Sequence, residues 1–307
     1  MESPDSKLIE QLIAIAGEEA VLVDEPMSAH TTFRVGGPAD VLVMPCSADV
    51  ACQVVDLVRE HGCALHIMGR GSNLLVADAG LRGVVVQIAS NLSDINVCEG
   101  GVIVAEAGAS NSKIAAVARD AGLAGYEFAA GIPGSVGGAA IMNAGAYDGE
   151  FKDVAIEVTC LDSEGDIVKL TPDQAEWGYR TSAIDRLGLI VLSVKLQLHP
   201  GDPSAIQARM DDLAARRQAK QPLDKPSAGS TFKRPPGLFA GKLIQDAGLQ
   251  GYQVGGAQVS TKHAGFVINV GNATAADVLE VIRDVQAAVL EQQGVQLQPE
   301  VRMWGFE

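Results

Sequence analysis

Tyr126–Phe151 reads YEFAAGIPGSVGGAAIMNAGAYDGEF. Six glycines, six alanines and one serine stand there beside only three charged residues. So few large side chains leave little apolar surface to bury, and no ordinary core element is expected from such a stretch. It does let main chain come close to something flat and anionic. Gly131, Gly134, Gly137 and Gly138 widen the range of φ, and successive small residues leave N–H groups bare as an anion-binding nest. A loop with nothing to hold would favour Ser, Asp and Lys. This one carries Ile132, Val136, Ile141 and Met142.

A second small-residue segment lies upstream. Gly69-Arg70-Gly71-Ser72-Asn73 follows the short apolar strand Ala64–Met68, as a phosphate loop does. It fits neither familiar template: there is no Gly-Lys-Ser/Thr, and Leu74 occupies the place of the third glycine of GxGxxG. Taken alone, the motif says little. Two glycine-rich loops from separate parts of one chain point to a long ligand held at several places, such as a dinucleotide. Ser72, Asn73, Ser135 and Asn143 would add side-chain hydrogen bonds to it.

Bulk properties narrow the class. A chain of 307 residues suggests two or three domains. With 47% hydrophobic and 20% charged residues it reads as globular, not disordered. No apolar run approaches the roughly 18–20 residues that span a bilayer. The N-terminus, MESPDSKLIEQLIAIAGEEA, reads as an acidic amphipathic helix and not as a secretory signal, so a cytoplasmic protein is expected. A net charge of −15 argues against nucleic acid as a partner. An anionic ligand would then need cations concentrated locally, which draws attention to the Arg/Lys cluster between Arg209 and Arg234. Cys46, Cys52, Cys63, Cys98 and Cys160 have no CxxC spacing and are expected as free buried thiols in a reducing cytosol. The scattered histidines form no HExxH-type pair, so no metal is expected.

The first third alternates strand and helix signals: a strand at Ala39–Met44, a helix capped by Ser47 and stopped by Gly62, then strands at Ala64–Met68, Val84–Ile88 and Val102–Glu106. A helix follows at Ser112–Asp120. Val154–Leu161 and Ile167–Leu170 flank a hairpin signal at Asp162-Ser163-Glu164-Gly165. In the next strand Ile190, Leu192, Val194, Leu196 and Leu198 alternate with Val191, Ser193, Lys195 and Gln197. His199–Pro203 then breaks the chain, and a domain boundary is expected there. Beyond it come a charged helix at Ser204–Lys220, a short helix at Leu238–Ala247, a strand at Phe266–Val270 and a long helix from Thr274 to Gln293. The apolar stripe Val278, Ile282, Val285, Val289 marks that last helix as one lying on a sheet.

Gly69–Val76 (GRGSNLLV), Ala130–Ala139 (AGIPGSVGGA) and Asn143–Glu150 (NAGAYDGE) resemble the flavin-binding segments of the UDP-N-acetylenolpyruvoylglucosamine reductase family. The likeness continues, in family order, through His30–Asp40 (HTTFRVGGPAD), Gly178–Ser182 (GYRTS), Ala228–Lys233 (AGSTFK), His263–Asn269 (HAGFVIN) and Pro299–Gly305 (PEVRMWG). It spans residues 28 to 305, nearly the whole chain. The resemblance implies a cytoplasmic enzyme with non-covalent FAD and with NADPH as co-substrate. Its substrate would be the enolpyruvyl ether of UDP-N-acetylglucosamine and its product UDP-N-acetylmuramate, a peptidoglycan precursor. No membrane insertion and no obligate protein partner are implied.

The implied chemistry is consistent with the residues. An enolpyruvyl double bond takes hydride from flavin N5 at one carbon and a proton at its neighbour, with negative charge gathering on the α-carbon and carboxylate between these events. Such a site needs a proton donor and a clamp for the carboxylate. By the resemblance, Ser230 is the proton donor, Arg180 neutralises the enolate with a guanidinium fork, and Glu300 orients the intermediate. The cofactor set so implied is Gly69, Arg70, Gly71, Ser72, Asn73, Leu74, Ile132, Pro133, Gly134, Ser135, Gly138, Ala139, Asn143, Gly145, Ala146 and Arg302. Tyr179, Lys220, Lys233, Arg234 and His263 are expected to hold substrate. Arg217 and Lys220, in a segment like the family's R-x-x-K-x-P, would meet a diphosphate or the NADPH phosphate.

Two departures are visible. After Arg180 only Ile184–Gly188 precede the long strand, which leaves no room for the substrate-covering tyrosine loop and matches the family's shorter form. Arg234 stands where Asn is common after the Phe-Lys pair. The expected fold is α+β: a two-part FAD-binding region of the vanillyl-alcohol-oxidase-like kind (residues 1–90 and 91–202) and a C-terminal substrate-binding domain (203–307) whose last residues, Val301 to Phe306, return to the flavin region. Two alternatives stay open at this point: an oxidase of the same fold, which would react with oxygen, and a nucleotide-binding module without turnover.

Overall fold

The computed structural model describes residues 4–306. The chain forms two compact units, each assembled from three segments. Unit 1 takes the residues through Leu22, Val41–Arg70 and Gly83–Arg217; unit 2 takes Val23–Asp40, Gly71–Arg82 and the residues from Gln218 onward. The architecture is α+β, and among the described residues no helix is long and apolar enough to cross a membrane.

In unit 1 the helix Ser6–Ala16 begins at Asp5, whose carboxylate accepts the Leu8 N–H at 2.7 Å, and buries Leu8 and Leu12. Residues 1–3 of the expected N-terminal helix lie outside the described residues. Ser47 caps the helix Ala48–Glu60 through the Val50 N–H, and Gly62 follows at φ 63°, which suits a residue without Cβ. Leu65–Met68 pairs in parallel with Leu81–Gln87.

A five-stranded antiparallel sheet forms the rest of this unit's core. Its order is Ile167–Leu170, Ala155–Leu161, Ile190–Gln197, Val102–Glu106, Ile95–Cys98. The central strand shows the period of two, with Ile190, Leu192, Val194 and Leu196 buried and Gln197 exposed. Val191 departs from the alternation and is buried as well. It pairs with Cys160 where a bulge between Thr159 and Cys160 shifts the register.

The glycine-rich stretch corrects one expectation. Val136–Met142 is a helix, and Val136, Gly137, Ala139 and Ala140 are part of the buried interior. Small side chains make this possible instead of preventing it. A Cβ on Gly137 would stand 2.9 Å from the Cβ of Ala107, so glycine lets the helix abut the end of the strand Val102–Glu106. Dense packing of small groups stands in for large side chains.

Unit 2 holds a three-stranded antiparallel sheet, Gln253–Val254, Ala257–Val259 and Val267–Asn269, covered by the helix Ala275–Gln293. The expected stripe is present: Val278, Ile282, Val285 and Val289 are fully buried. Thr274 and Asp277 form a capping box at the helix start. Asp78 adds a second cap, its carboxylate accepting the N–H groups of Ala275 at 2.8 Å and Ala276 at 2.9 Å. Leu74–Val76 pairs in parallel with Arg302–Trp304, tying the phosphate-loop strand to the chain's C-terminal segment.

Candidate active site

Unit 1 brings the two small-residue segments together. A Cβ on Gly69 would lie 2.5 Å from the Ser135 Oγ, so only glycine allows this approach. Ser135 is buried, forms an isolated bridge with Ser110 and stands at the N-cap position of the helix without a side-chain capping bond. Arg70 donates to the Gly108 carbonyl at 3.4 Å. Two N–H groups expected to be bare are already used: Val136 donates to the Ala109 carbonyl at 2.8 Å and Gly137 to that of Ala107 at 2.9 Å. Gly134 has φ 105°, and Asn143, Tyr147 and Asp148 are left-handed non-glycine residues at 41°, 51° and 69°. Such conformations cluster where surroundings over-determine the chain. Pro133 and Gly138 are exposed, Ile132 is half-buried and Ala139 is buried. Gly145–Ala146 pairs with Gly149–Glu150 in a two-stranded ribbon. The Arg217 Nη1 comes within 3.4 Å of the point a Gly131 Cβ would occupy, and burial pushes the guanidinium below its usual pKa.

Arg180 sits in a tight turn of the same unit, in which the Gly178 N–H donates to the Thr181 carbonyl at 3.1 Å. Its φ is 54°, and its guanidinium lies 5.1 Å from the Tyr179 ring centroid. It donates to the carbonyls of Asn143 at 3.5 Å and Gly145 at 3.2 Å. The GYRTS turn and the glycine-rich segment are thus in direct contact.

Unit 2 carries the other candidates. Gly71 has φ 63°, and a Cβ there would fall 2.1 Å from the His30 carbonyl oxygen. Asn73 donates from Nδ2 to the Glu300 carbonyl at 3.1 Å, and its own carbonyl accepts the Arg302 N–H at 3.0 Å. Ser72 lies between these two anchors, and Leu74 begins the buried strand. Ser230 is exposed beside Gly229, where a Cβ would meet nothing within 4 Å. The next residue, Thr231, accepts the Glu300 N–H at 2.8 Å on its carbonyl and the Val267 N–H at 2.9 Å on its hydroxyl. Ser230 and Glu300, seventy positions apart, are therefore held on two segments that pair at the isolated bridge between Phe232 and Pro299.

The substrate candidates divide. The Lys233 N–H donates to the Gln298 carbonyl at 2.8 Å, which extends the pairing of the Ser230 segment with the Glu300 segment. The Arg234 guanidinium stacks on Phe239 at 4.6 Å. His263 accepts the Gly265 N–H on Nδ1 at 3.1 Å, which leaves its proton on Nε2. Burial lowers its pKa, and the charge of Lys220 adds to that. Lys220 is exposed at the end of the helix Pro203–Lys220. Trp177 and Ser182 were not singled out from sequence. Their side chains donate to the carbonyls of Ala140 and Ile141 at 2.7 and 2.8 Å, and the only sequence signal was that both border Arg180.

Small residues make up the segments expected to hold a flavin dinucleotide, and within their own units Gly69 and Gly71 stand against atoms that leave little room for a Cβ.

The comparisons agree with that chemistry. A model of the FAD binding domain matches residues 39–171, and a model of the UDP-N-acetylenolpyruvoylglucosamine reductase C-terminal domain matches residues 221–304. The chain is 51% identical over 296 residues to UDP-N-acetylenolpyruvoylglucosamine reductase of Agathobacter rectalis, covering 93% of this chain and 94% of that protein. It resembles the crystal structure of UDP-N-acetylenolpyruvylglucosamine reductase from Thermus caldophilus with a TM-score of 0.79 at 33% identity, covering 92% of this chain and 98% of that one. An alkyldihydroxyacetonephosphate synthase structure shares the fold alone, with a TM-score of 0.50 at 14% identity over 65% of this chain and 42% of that one.

Proposed function

The chain belongs to the UDP-N-acetylenolpyruvoylglucosamine reductase family, and from that premise we propose that it reduces the enolpyruvyl ether of UDP-N-acetylglucosamine to UDP-N-acetylmuramate at the expense of NADPH. It is an FAD-dependent oxidoreductase. When bound, FAD supplies the two-electron reducing equivalent, which NADPH replenishes. The protein supplies the proton, the charge compensation and the geometry.

Ser230 donates its hydroxyl proton to the α-carbon of the reduced enolpyruvyl group, and solvent restores that proton. An enolate carbon is basic enough to take a proton from an alcohol, so no matched pKa is required. Arg180 neutralises the charge that gathers on the carboxylate, and a guanidinium already fixed by two carbonyls spends little reorganisation in doing so. Glu300 orients the intermediate beside Ser230. Gly69, Arg70, Gly71, Ser72, Asn73, Leu74, Ile132, Pro133, Gly134, Ser135, Gly138, Ala139, the main chain of Asn143, Gly145, Ala146 and Arg302 hold the cofactor; Tyr179, Lys220, Lys233, Arg234 and His263 hold the sugar nucleotide. The observation that best supports the assignment of acid and orienting group is the 2.8 Å bond from the Glu300 N–H to the Thr231 carbonyl, which holds the segments that carry Ser230 and Glu300 side by side.

The test is direct. Purified protein should be yellow with releasable flavin and should oxidise NADPH only when the enolpyruvyl nucleotide is present. In deuterated water the product should carry solvent deuterium at the α-carbon. NADPH oxidation at the same rate without the nucleotide would sink the reading.

A further inference from the structure

Four side chains tie the Arg180 turn to the C-terminal end of the helix Val136–Met142. Trp177 donates from Nε1 to the Ala140 carbonyl at 2.7 Å, and Ser182 from Oγ to the Ile141 carbonyl at 2.8 Å. Asn143 donates from Nδ2 to the Gly178 carbonyl at 3.0 Å. Arg180 itself reaches back to the carbonyls of Asn143 and Gly145. The last carbonyls of any helix lack intrahelical partners. Here the turn provides them, so the helix end and the turn satisfy each other.

Asn143 is the centre of this arrangement. It is 1% exposed, and its side chain is engaged on every side. One amide hydrogen goes to Gly178, the other to the Glu150 carboxylate at 2.9 Å, and Oδ1 accepts the Lys152 N–H at 3.0 Å. Glu150 is held in turn by the Lys152 Nζ at 2.8 Å, which keeps its carboxyl below the usual range. Asn143 adopts φ 41° and Arg180 φ 54°. A non-glycine residue in that region costs about 1–3 kcal/mol and persists only where its surroundings demand it. An amide used three ways within the protein has little left for a ligand, yet it joins three segments around Arg180.

We infer that Asn143 is a positioning residue for Arg180: it clamps the Gly178–Thr181 turn to the ribbon at Glu150–Lys152 and fixes where the guanidinium points. The inference rests on the role proposed above for Arg180, and it replaces the expectation that the Asn143 side chain faces the cofactor.

The test is a double-mutant cycle with an independent structural readout. Asn143→Gly removes the amide while keeping a residue that accepts positive φ. Reoxidation of the reduced enzyme by the enolpyruvyl nucleotide should slow about tenfold to a hundredfold, the scale of a misplaced catalytic group. The same substitution added to Arg180→Ala should cost less than about twofold more, because coupled residues are non-additive. Amide hydrogen exchange at Gly178–Thr181 should rise, while that of the distant helix Ser6–Ala16 stays as in the parent. Losses that multiply in the double variant, or unaltered exchange at the turn, overturn the inference. If the parent enzyme is not reoxidised by the nucleotide but exchange at the turn still rises, the function assigned to Arg180 fails while the hold of Asn143 on the turn is upheld.

Discussion

A Cβ built on Gly69 lies 2.5 Å from the Ser135 Oγ, whereas it clears the Ser135 Cβ by 3.6 Å. The approach of the two small-residue segments is therefore limited by one hydroxyl and one absent methyl group. Gly69→Ala should destabilise the protein by about 1–3 kcal/mol, the usual cost of overpacking. Gly69→Ala combined with Ser135→Ala should recover most of that loss in chemical denaturation, since the obstacle is gone. A double variant as unstable as the single one would show that the contact is not the cause. At Gly71 no such rescue is available: the obstructing atom is the His30 carbonyl oxygen, and φ is +63°.

Ser230→Ala separates the half-reactions. Reoxidation by the enolpyruvyl nucleotide should fall on the order of 10²–10³-fold or more, the scale for one preorganised catalytic group, while reduction by NADPH is far less affected. Rapid-mixing absorbance of the bound flavin reads both phases. Equal losses in the two would remove Ser230 from the role of proton donor.

His263 predicts a pH dependence. Burial, and then the charge of Lys220, favour the neutral ring, so its folded pKa lies below the ordinary 6.5. The unfolded chain then binds the proton more readily. This contribution to stability is complete above pH 6.5 and is lost as pH falls below it towards the folded value. Urea midpoints from pH 5 to 7.5 should drop more steeply on acidification for the parent than for His263→Ala. Identical slopes would refute the assignment.

Two carboxylates cap the helix Ala275–Gln293, and each can be removed alone. Asp78→Ala and Asp277→Ala should each cost about 0.5–2 kcal/mol, the range for loss of an N-cap. The Thr274 N–H holds the Asp277 carboxyl below its ordinary 3.8. Its contribution is present above that value and lost as pH falls through the lower folded one. Thermal melts of the parent and both variants at pH 7 and pH 3 check this, and Asp277→Ala should matter less in acid.

The cysteines should titrate in two classes. Cys46 and Cys98, expected to be buried, are exposed and should react promptly with a thiol reagent in the native protein. Cys160 is buried in the five-stranded sheet, and burial pushes its thiol up to about 12, so it should react only after unfolding. Native-state labelling of Cys160 at neutral pH would contradict the packing of the Ala155–Leu161 strand.

Much of this was legible from residues alone. The Ser47 and Thr274 caps, the central strand Ile190–Gln197 and the apolar stripe Val278–Val289 are local patterns, and each appears where its period and its cap residue place it. The motifs also led to the right family, because a position that tolerates only glycine, such as 71, leaves a mark in the sequence that no neighbour can disguise. The helix Val136–Met142 was hidden because small residues look like poor core formers until the strand they abut is known.

Amino-acid pattern by itself therefore determined the α+β class, most element positions and the cofactor class, since these depend on spacing along a short stretch of chain. Only the tertiary structure decided how each unit is assembled from three separate segments and where the polar side chains point. The amides of Asn73 and Asn143 bind the carbonyls of Glu300 and Gly178. An amide takes whichever partner lies within about 3 Å, and distant parts of the chain, brought together by packing, supply that partner.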